Sequence, residues 1–246
     1  MLKLTASLLL ALLVRIIPGH ASPVAIEKRV PGQVSQPGAL VVVDNQGSYF
    51  RVSAMNDGSM IGGYAEGDGT DTVLRVVRST DGAASWQAIS DVAREATATH
   101  EIDNAFPFQL PGGRILYAFR NHDKSNGGYS YYRITVSYST DGGKTFNFLS
   151  QVDERAAATY KNGLWEPYLR LANDGTLQCY YSSENADNDQ DNLMRYSKDQ
   201  GKTWSDAITV SGQGLTSRDG MTGVTSIDTN GNLMQVLMQN FKLSAC

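Results

Sequence analysis

The chain has 246 residues, 41% of them hydrophobic, which is enough apolar material for one sizeable domain or two small ones. Charged residues make up 19%, the net charge is −4 and no basic run occurs, which argues against nucleic acid or an anionic membrane surface as a partner. The 24 glycines, and the lack of Leu-rich amphipathic stretches after residue 20, favour a turn-rich all-β protein over a helical one.

At the N-terminus, Lys3 precedes the apolar run Leu4 to Leu13, and small residues follow at Gly19 and Ala21, the pattern of a secretory signal over residues 1–21. Arg15 interrupts the run, so it is too short to span a bilayer, and no later segment is apolar enough to do so. Residues 22–37 read as a flexible, Pro-containing segment whose Lys28-Arg29 pair is either a second processing site or an ordinary solvated dibasic pair. A secreted, extracellular and monomeric protein is expected.

From residue 38 the chain repeats one grammar. The apolar run Gly38 to Val43 ends at the turn Asp44 to Gly47, and Ser48 to Ser53 reads as a strand. Asn56-Asp57-Gly58 turns it into a second, Ser59 to Tyr64, and Asp71 to Arg78 reads as a third. The phrase Ser79-Thr80-Asp81-Gly82-Ala83-Ala84-Ser85-Trp86 follows, and Trp86 to Ile89 leaves it. The next unit runs from Asn104 to Leu110, turns at Pro111-Gly112-Gly113, returns over Arg114 to Phe119, passes a polar loop (Arg120 to Gly128) and takes a third strand, Tyr131 to Ser137. A third unit has Trp165 to Leu171, the turn Asn173-Asp174-Gly175, Thr176 to Tyr181, a loop from Glu184 to Asn192 and a strand from Leu193 to Tyr196. Met221 to Ile227 opens a fourth, with a turn at Asn230-Gly231.

The phrase at Asp81 recurs around Asp141 and Asp199, with a Ser two residues before the Asp and Trp86, Phe146 or Trp204 five residues after it. As a hairpin turn it has a mechanical reading: the carboxylate accepts backbone N–H groups, Gly takes positive φ and the aromatic packs under the turn. Ala83 makes the first copy the least ideal. The copies resemble the Asp box of sialidase-type β-propellers. Four short antiparallel strands in roughly sixty residues make a propeller blade, whereas a sandwich of hairpins does not repeat such a phrase at constant spacing. The expectation is an all-β propeller of the sialidase type over residues 38–236, with about four blades of the six such a ring needs and an aberrant or truncated tail at 237–246.

Glu166, between Trp165 and Pro167 at the start of an inner strand, is the leading catalytic candidate, because a flanking indole partly desolvates a carboxyl and suits it to general-acid work. The alternative is a surface Glu in a loop. Glu184 opens a polar loop that also contains Asn192 and could bind sugar hydroxyls or simply be solvated. Arg51, Arg120 and Arg218 read as standing at matching places in different blades, either to hold a substrate carboxylate, as in a sialidase, or to serve a neutral sugar or a structural bond. Asp103-Asn104 before Phe106 occupies the station in the second unit that Trp165-Glu166 occupies in the third. Tyr131, Tyr132 and Tyr168 are as well suited to packing as to a sugar platform. Cys179 reads as a buried thiol, although a disulfide to Cys246 is allowed. No Cys/His cluster has metal spacing, and neither a metal nor a cofactor is expected.

The stretches Asn104 to Phe108, Leu164 to Tyr168, Tyr180 to Asn185 and Ser217 to Met221 are similar to those of fungal exo-1,5-α-L-arabinanases of glycoside hydrolase family 93. The resemblance implies a secreted six-bladed propeller that releases arabinobiose from arabinan ends with retention. It implies that Glu166 is one catalytic glutamate, with acid/base the preferred role, that Glu184 is a further active-site acid, and that Arg51, Asn104, Phe106, Arg120, Trp165, Tyr168, Asn192 and Arg218 line the substrate site. The family's second glutamate falls where this chain reads Leu237-Met238, so an inactive product is expected if nothing replaces it. An exo-sialidase and a non-catalytic carbohydrate-binding fragment are the alternatives.

Overall fold

The computed structural model describes residues 40–228 and 231–240; the expected signal at 1–21, the whole 22–37 segment with its Lys28-Arg29 pair, Gly38, Asn230 of the fourth unit's turn, the end of the expected tail and Cys246 lie outside them. Among the described residues every regular element is a strand. One four-stranded antiparallel sheet holds β1 (Ser48–Ala54), β2 (Met60–Gly67), β3 (Asp71–Ser79) and β4 (Gln87–Ala96) in chain order. A second holds β5 (His100–Gln109), β6 (Ile115–Ser125), β7 (Gly128–Ser139) and β8 (Asn147–Ala156). The third holds β9 (Leu164–Leu171), β10 (Leu177–Ala186), β11 (Asp189–Ser197) and β12 (Ile208–Ser211). The antiparallel pair β13 (Arg218–Ser226) and β14 (Leu233–Asn240) joins its edge through one parallel bridge between Gln190 and Arg218.

Three expectations change. The apolar run Leu40 to Val43 pairs with no strand and is largely exposed. The polar loops expected at Arg120 to Gly128 and Glu184 to Asn192 are mostly ladder, because the hairpins close on two-residue turns at Asn126-Gly127 and Asp187-Asn188. Asn126 and Gly127 have φ of 52° and 79°, the left-handed pair that matches strand twist. The boundary placed after Val236 falls inside β14.

The sheets are welded by side chains alternating along their strands. On β6, Ile115, Tyr117 and Phe119 face the cluster built by Ile61, Leu74 and Val76 of the first sheet. Leu116 and Ala118 face the opposite cluster, with Leu169, Leu177, Cys179 and Tyr181 of the third. A strand buried on both faces reads as a continuous apolar run for this reason. Gly63 makes room for Tyr117: a Cβ there would fall 1.5 Å from the tyrosine hydroxyl, which donates to the Arg75 carbonyl at 3.1 Å. Cys179 is a buried free thiol in this core.

The three repeated phrases are the turns between the third and fourth strands of each sheet. Asp141 accepts the Lys144 and Thr145 N–H groups at 3.0 Å and the Thr145 hydroxyl at 2.6 Å, while Ser139 donates to it at 2.8 Å. Asp199 holds the same geometry, and Asp81 holds it without the N–H bond from the third residue on. The second and third turns also dock on the sheet before them, because Ser90 of β4 donates to the Gly143 carbonyl and Ser150 of β8 to that of Gly201. The box aromatics follow: the Trp204 indole donates to Ser150 at 3.0 Å. Ala83 stands at φ 71°, where the other copies place Gly143 and Gly201 at 90° and 89°. The third copy also departs from the ideal, with Gln200 at φ 64° in the place of Gly82 and Gly142.

Ala83→Gly is expected to raise stability by about 0.5–1 kcal/mol in urea denaturation, since it relieves a left-handed Ala. Gly143→Ala is expected to lower it by about 1–2 kcal/mol, its new Cβ lying 3.3 Å from Ile89 Cδ1. The hydroxyl and backbone donors around Asp81 and Asp199 hold both carboxyls near 2, below the ordinary 3.8. A depressed acid stabilises the fold above its unfolded value and ceases to do so as pH falls through the folded one. The stability gap between the wild type and Asp199→Asn, followed by thermal melts, is therefore expected to close between about pH 4 and pH 2.

Candidate functional site

Each unit's first strand carries the same irregularity. The ladder skips between Ser48 and Arg51 in β1, between Asp103 and Phe106 in β5, opposite Tyr180 and Ser182 in β9, and between Gly220 and Gly223 in β13. At each bulge one non-glycine residue adopts positive φ: Tyr49 at 54°, Asn104 at 54°, Glu166 at 57° and Met221 at 53°. A bulge frees backbone groups from the ladder and re-aims a side chain. It costs about 1–2 kcal/mol per left-handed L residue, so four such positions at one station mark a site rather than an accident.

Three of the four residues meet. Glu166 Oε2 accepts the Met221 backbone N–H at 2.6 Å and lies 3.5 Å from the Ser182 hydroxyl, and Oε1 accepts the Tyr49 hydroxyl at 3.2 Å. Gly220 permits this, since a Cβ there would stand 3.2 Å from Glu166 Oε2 and 2.7 Å from Gln190 Nε2. Tyr49, Glu166 and Met221 line two cavities. One, of about 470 Å³, adds Phe50 and Arg51. The other, of about 350 Å³, adds Arg120, Trp165, Gln190, Arg218, Gly220 and Met238. Their volumes are in the range of small-ligand sites.

The predicted residues divide into those that line the cavities and those behind them. Arg51 donates to the Pro167 carbonyl at 3.0 Å and lies over the Phe106 and Tyr168 rings at 4.9 and 5.8 Å, so those aromatics serve as its bed. Burial pulls the Arg51 guanidinium below its usual value. Arg120 pairs with Glu101 at 2.7 Å and Asp103 at 3.3 Å and lies 4.8 Å over Trp165. Trp165 packs against His122, Tyr129 and Tyr132. Glu184 is 4% exposed and lines neither cavity: Arg218 holds one oxygen at 2.7 Å and the Gly163 N–H the other at 3.1 Å. Asn192 is buried and accepts from Gln235 at 2.9 Å. Asn104 is buried at its bulge with both amide atoms unpartnered.

The three arginines do not stand at matching places. Arg51 follows the bulge of β1, Arg120 lies on β6 opposite Asp103, and Arg218 opens β13 three residues before its bulge. The longer hairpins carry Arg120 onto a second strand, which the expected loop there obscured.

Tyr49, Met221, Gln190 and Met238 escaped the sequence reading. A signal for the first two existed: the bulge residue stands nine positions before the turn glycines Gly58, Gly113 and Gly175, and ten before Gly231. Burial and the Glu166 charge push the Tyr49 phenol up, so it is held as a donor. Burial likewise pushes Asp103 up against the opposing pull of Arg120, and the Glu166 charge adds to the rise. Burial lowers His122 to about 3, which keeps it neutral. A carboxylate with three donors, facing a cavity rimmed by compensated cations and aromatic rings, can position or exchange a proton with a polar, uncharged ligand.

The family described as BNR repeat-like domain matches residues 59–235. No curated protein sequence matches the chain. Among solved structures it is similar to the Penicillium chrysogenum α-L-arabinanase complexed with arabinobiose, at 25% identity and a TM-score of 0.63, over 79% of this chain and 57% of that one. It is also similar to the GH93 α-L-arabinofuranosidase of Fusarium graminearum with arabinobiose, at 22% and 0.65, over 82% and 58%. A third is the endo-arabinase from Bacteroides thetaiotaomicron, at 14% and 0.56, over 81% and 74%. The chain thus spans less than two thirds of the length of the two fungal structures.

Arg218→Met is expected to cost about 2–3 kcal/mol, because it strands a buried carboxylate. Adding Glu184→Gln is expected to return part of that loss. Chemical denaturation of the two single variants and the double variant checks both statements.

Proposed function

The chain belongs to the BNR repeat-like family, and from that premise we propose that it is part of a secreted glycoside hydrolase acting on the ends of α-1,5-L-arabinan. The observation that carries the proposal is Glu166: a carboxylate on a left-handed bulge, gripped by Tyr49 and Met221 and facing both cavities. In this reading the repeated sheets are blades of a sialidase-type propeller, with β1, β5, β9 and β13 as inner strands; the packing of β1 on β5, β5 on β9 and β9 on β13 supports it. Export rests on the N-terminal signal pattern, and a monomer is the working state.

Glu166 takes the acid/base role: in its protonated form it gives its proton to the glycosidic oxygen as the bond to the anomeric carbon breaks, and the carboxylate left behind is the base for the return step. Retention requires a second carboxyl about 5 Å away as nucleophile. Among the described residues Asp103 is influenced by the Glu166 charge, but it is engaged by Arg120 and by the Asn104 N–H at 2.6 Å. Arg120 and Arg218 are both paired with acids, which favours a neutral sugar over a sialic acid carboxylate.

In the test, azide stands in for that second carboxyl. Linear arabino-oligosaccharides incubated with the full chain and azide are expected to yield arabinobiosyl azide of inverted configuration, read by mass spectrometry and NMR. Glu166→Gln is expected to suppress that product by a factor of about 10² to 10⁴. Equal yields from the variant, or cleavage of a fluorogenic sialoside in place of arabinan, would refute the assignment.

A further inference from the structure

A second cleft, of about 590 Å³, opens beside the Glu166 cavities. Tyr129 and Tyr132 of β7 form its wall, Tyr160 and Lys161 of the β8–β9 connection its rim, and Asp187 and Asn188 of the β10–β11 turn the opposite rim. Nothing in the chemistry at Glu166 uses these groups. They lie at the end of the third sheet where β9 begins and β10 ends, the same end as the bulge, since Leu164 pairs with Ser183 and Trp165 with Ser182.

Two residues connect cleft and cavity. Trp165 lines the smaller cavity and packs against Tyr129 and Tyr132 with ring centroids 6.2 and 6.4 Å apart. Arg218 lines the same cavity and donates to the Asp187 carbonyl at 3.1 Å. The two spaces are therefore linked through Trp165 and Arg218, which line the cavity and touch residues of the cleft.

The lining has the chemistry of a carbohydrate subsite. Tyr160 is 61% exposed, an aromatic face open to solvent beside short polar groups. Tyr129 spends its hydroxyl on Glu101 at 2.8 Å and so offers its ring. Lys161 and Asp187 form a long, exposed ion pair at 3.9 Å, so both heads reach solvent and a ligand's hydroxyls, and their charges cancel, which suits an uncharged ligand. Aromatic faces supply apolar contact to the C–H faces of a sugar, and a few polar groups fix its orientation.

We propose that this cleft is a distal binding site for further sugar units of a neutral polysaccharide chain whose end lies at Glu166. The proposal rests on the glycan-hydrolase reading of that residue and extends it to a polymer. Holding a chain at two connected sites raises its effective concentration at the second, so the cleft adds affinity only for ligands long enough to reach both.

Affinity electrophoresis of the full chain through gels containing linear arabinan tests it. Tyr160→Ala, an exposed substitution that leaves the core intact, is expected to weaken retardation about tenfold. Titration is expected to show the loss for arabinohexaose and none for arabinobiose. Glu166→Gln is expected to remain retarded. Retardation unchanged by Tyr160→Ala, or no retardation of the wild type by arabinan, overturns the cleft. An azide product formed without retardation would sink the cleft while leaving the Glu166 assignment standing, and retardation without the product would do the reverse.

Discussion

The site depends on one backbone constraint, a bulge that puts a side-chain-bearing residue into left-handed conformation in the first strand of every unit. The skipped ladder position at Met221 leaves an N–H without a cross-strand partner, and the Glu166 carboxylate accepts it. The same distortion in β9 turns Glu166 towards that donor, and in β1 it turns Tyr49 towards the other oxygen. Three strands far apart in sequence thus converge on one carboxylate through backbone geometry rather than through flexible side chains, which preorganises it.

Such conformations persist only when their surroundings enforce them. The enforcement comes from the sheets: β6 is buried on both faces, and the second and third box turns are fastened to the preceding sheet by a serine–carbonyl bond. The boxes sit between the third and fourth strands of each sheet and line neither cavity at Glu166, yet the second and third hold neighbouring sheets together, and with them the first strands. Architecture and chemistry are separated in space and coupled through packing.

This separation explains what was legible in the sequence. The turns at Gly58, Gly113 and Gly175 and the boxes at Asp81, Asp141 and Asp199 use residues whose local chemistry dictates the conformation, so composition and spacing exposed them. The bulges hold Tyr, Glu and Met where only Asn104 has any intrinsic preference for positive φ, so propensity points away from them. Glu166 was found because of its neighbours, and Tyr49, its direct partner, was not. Arg120 lies on a second strand because Asn126-Gly127 makes its hairpin longer than the polar composition implies. Glu184, read from the sequence as an active-site acid or a solvated loop residue, is a buried carboxylate answered by Arg218 and the Gly163 N–H.

The first strands also show how far the cavity is a shared property of neighbouring units. On β5, flanked on both sides, Ala105 and Phe106 are buried, whereas Tyr49, Phe50 and Val52 on β1 are 40–43% exposed. On β14, Leu233, Met234, Val236 and Met238 are 40–61% exposed. Apolar surface of this extent on two strands is costly to leave in water. Tyr49, Phe50 and Met238 are also cavity walls. Anything that packs on β1 or β14 therefore reshapes the space around Glu166 as well, which ties the completeness of the site to the covering of these two strands.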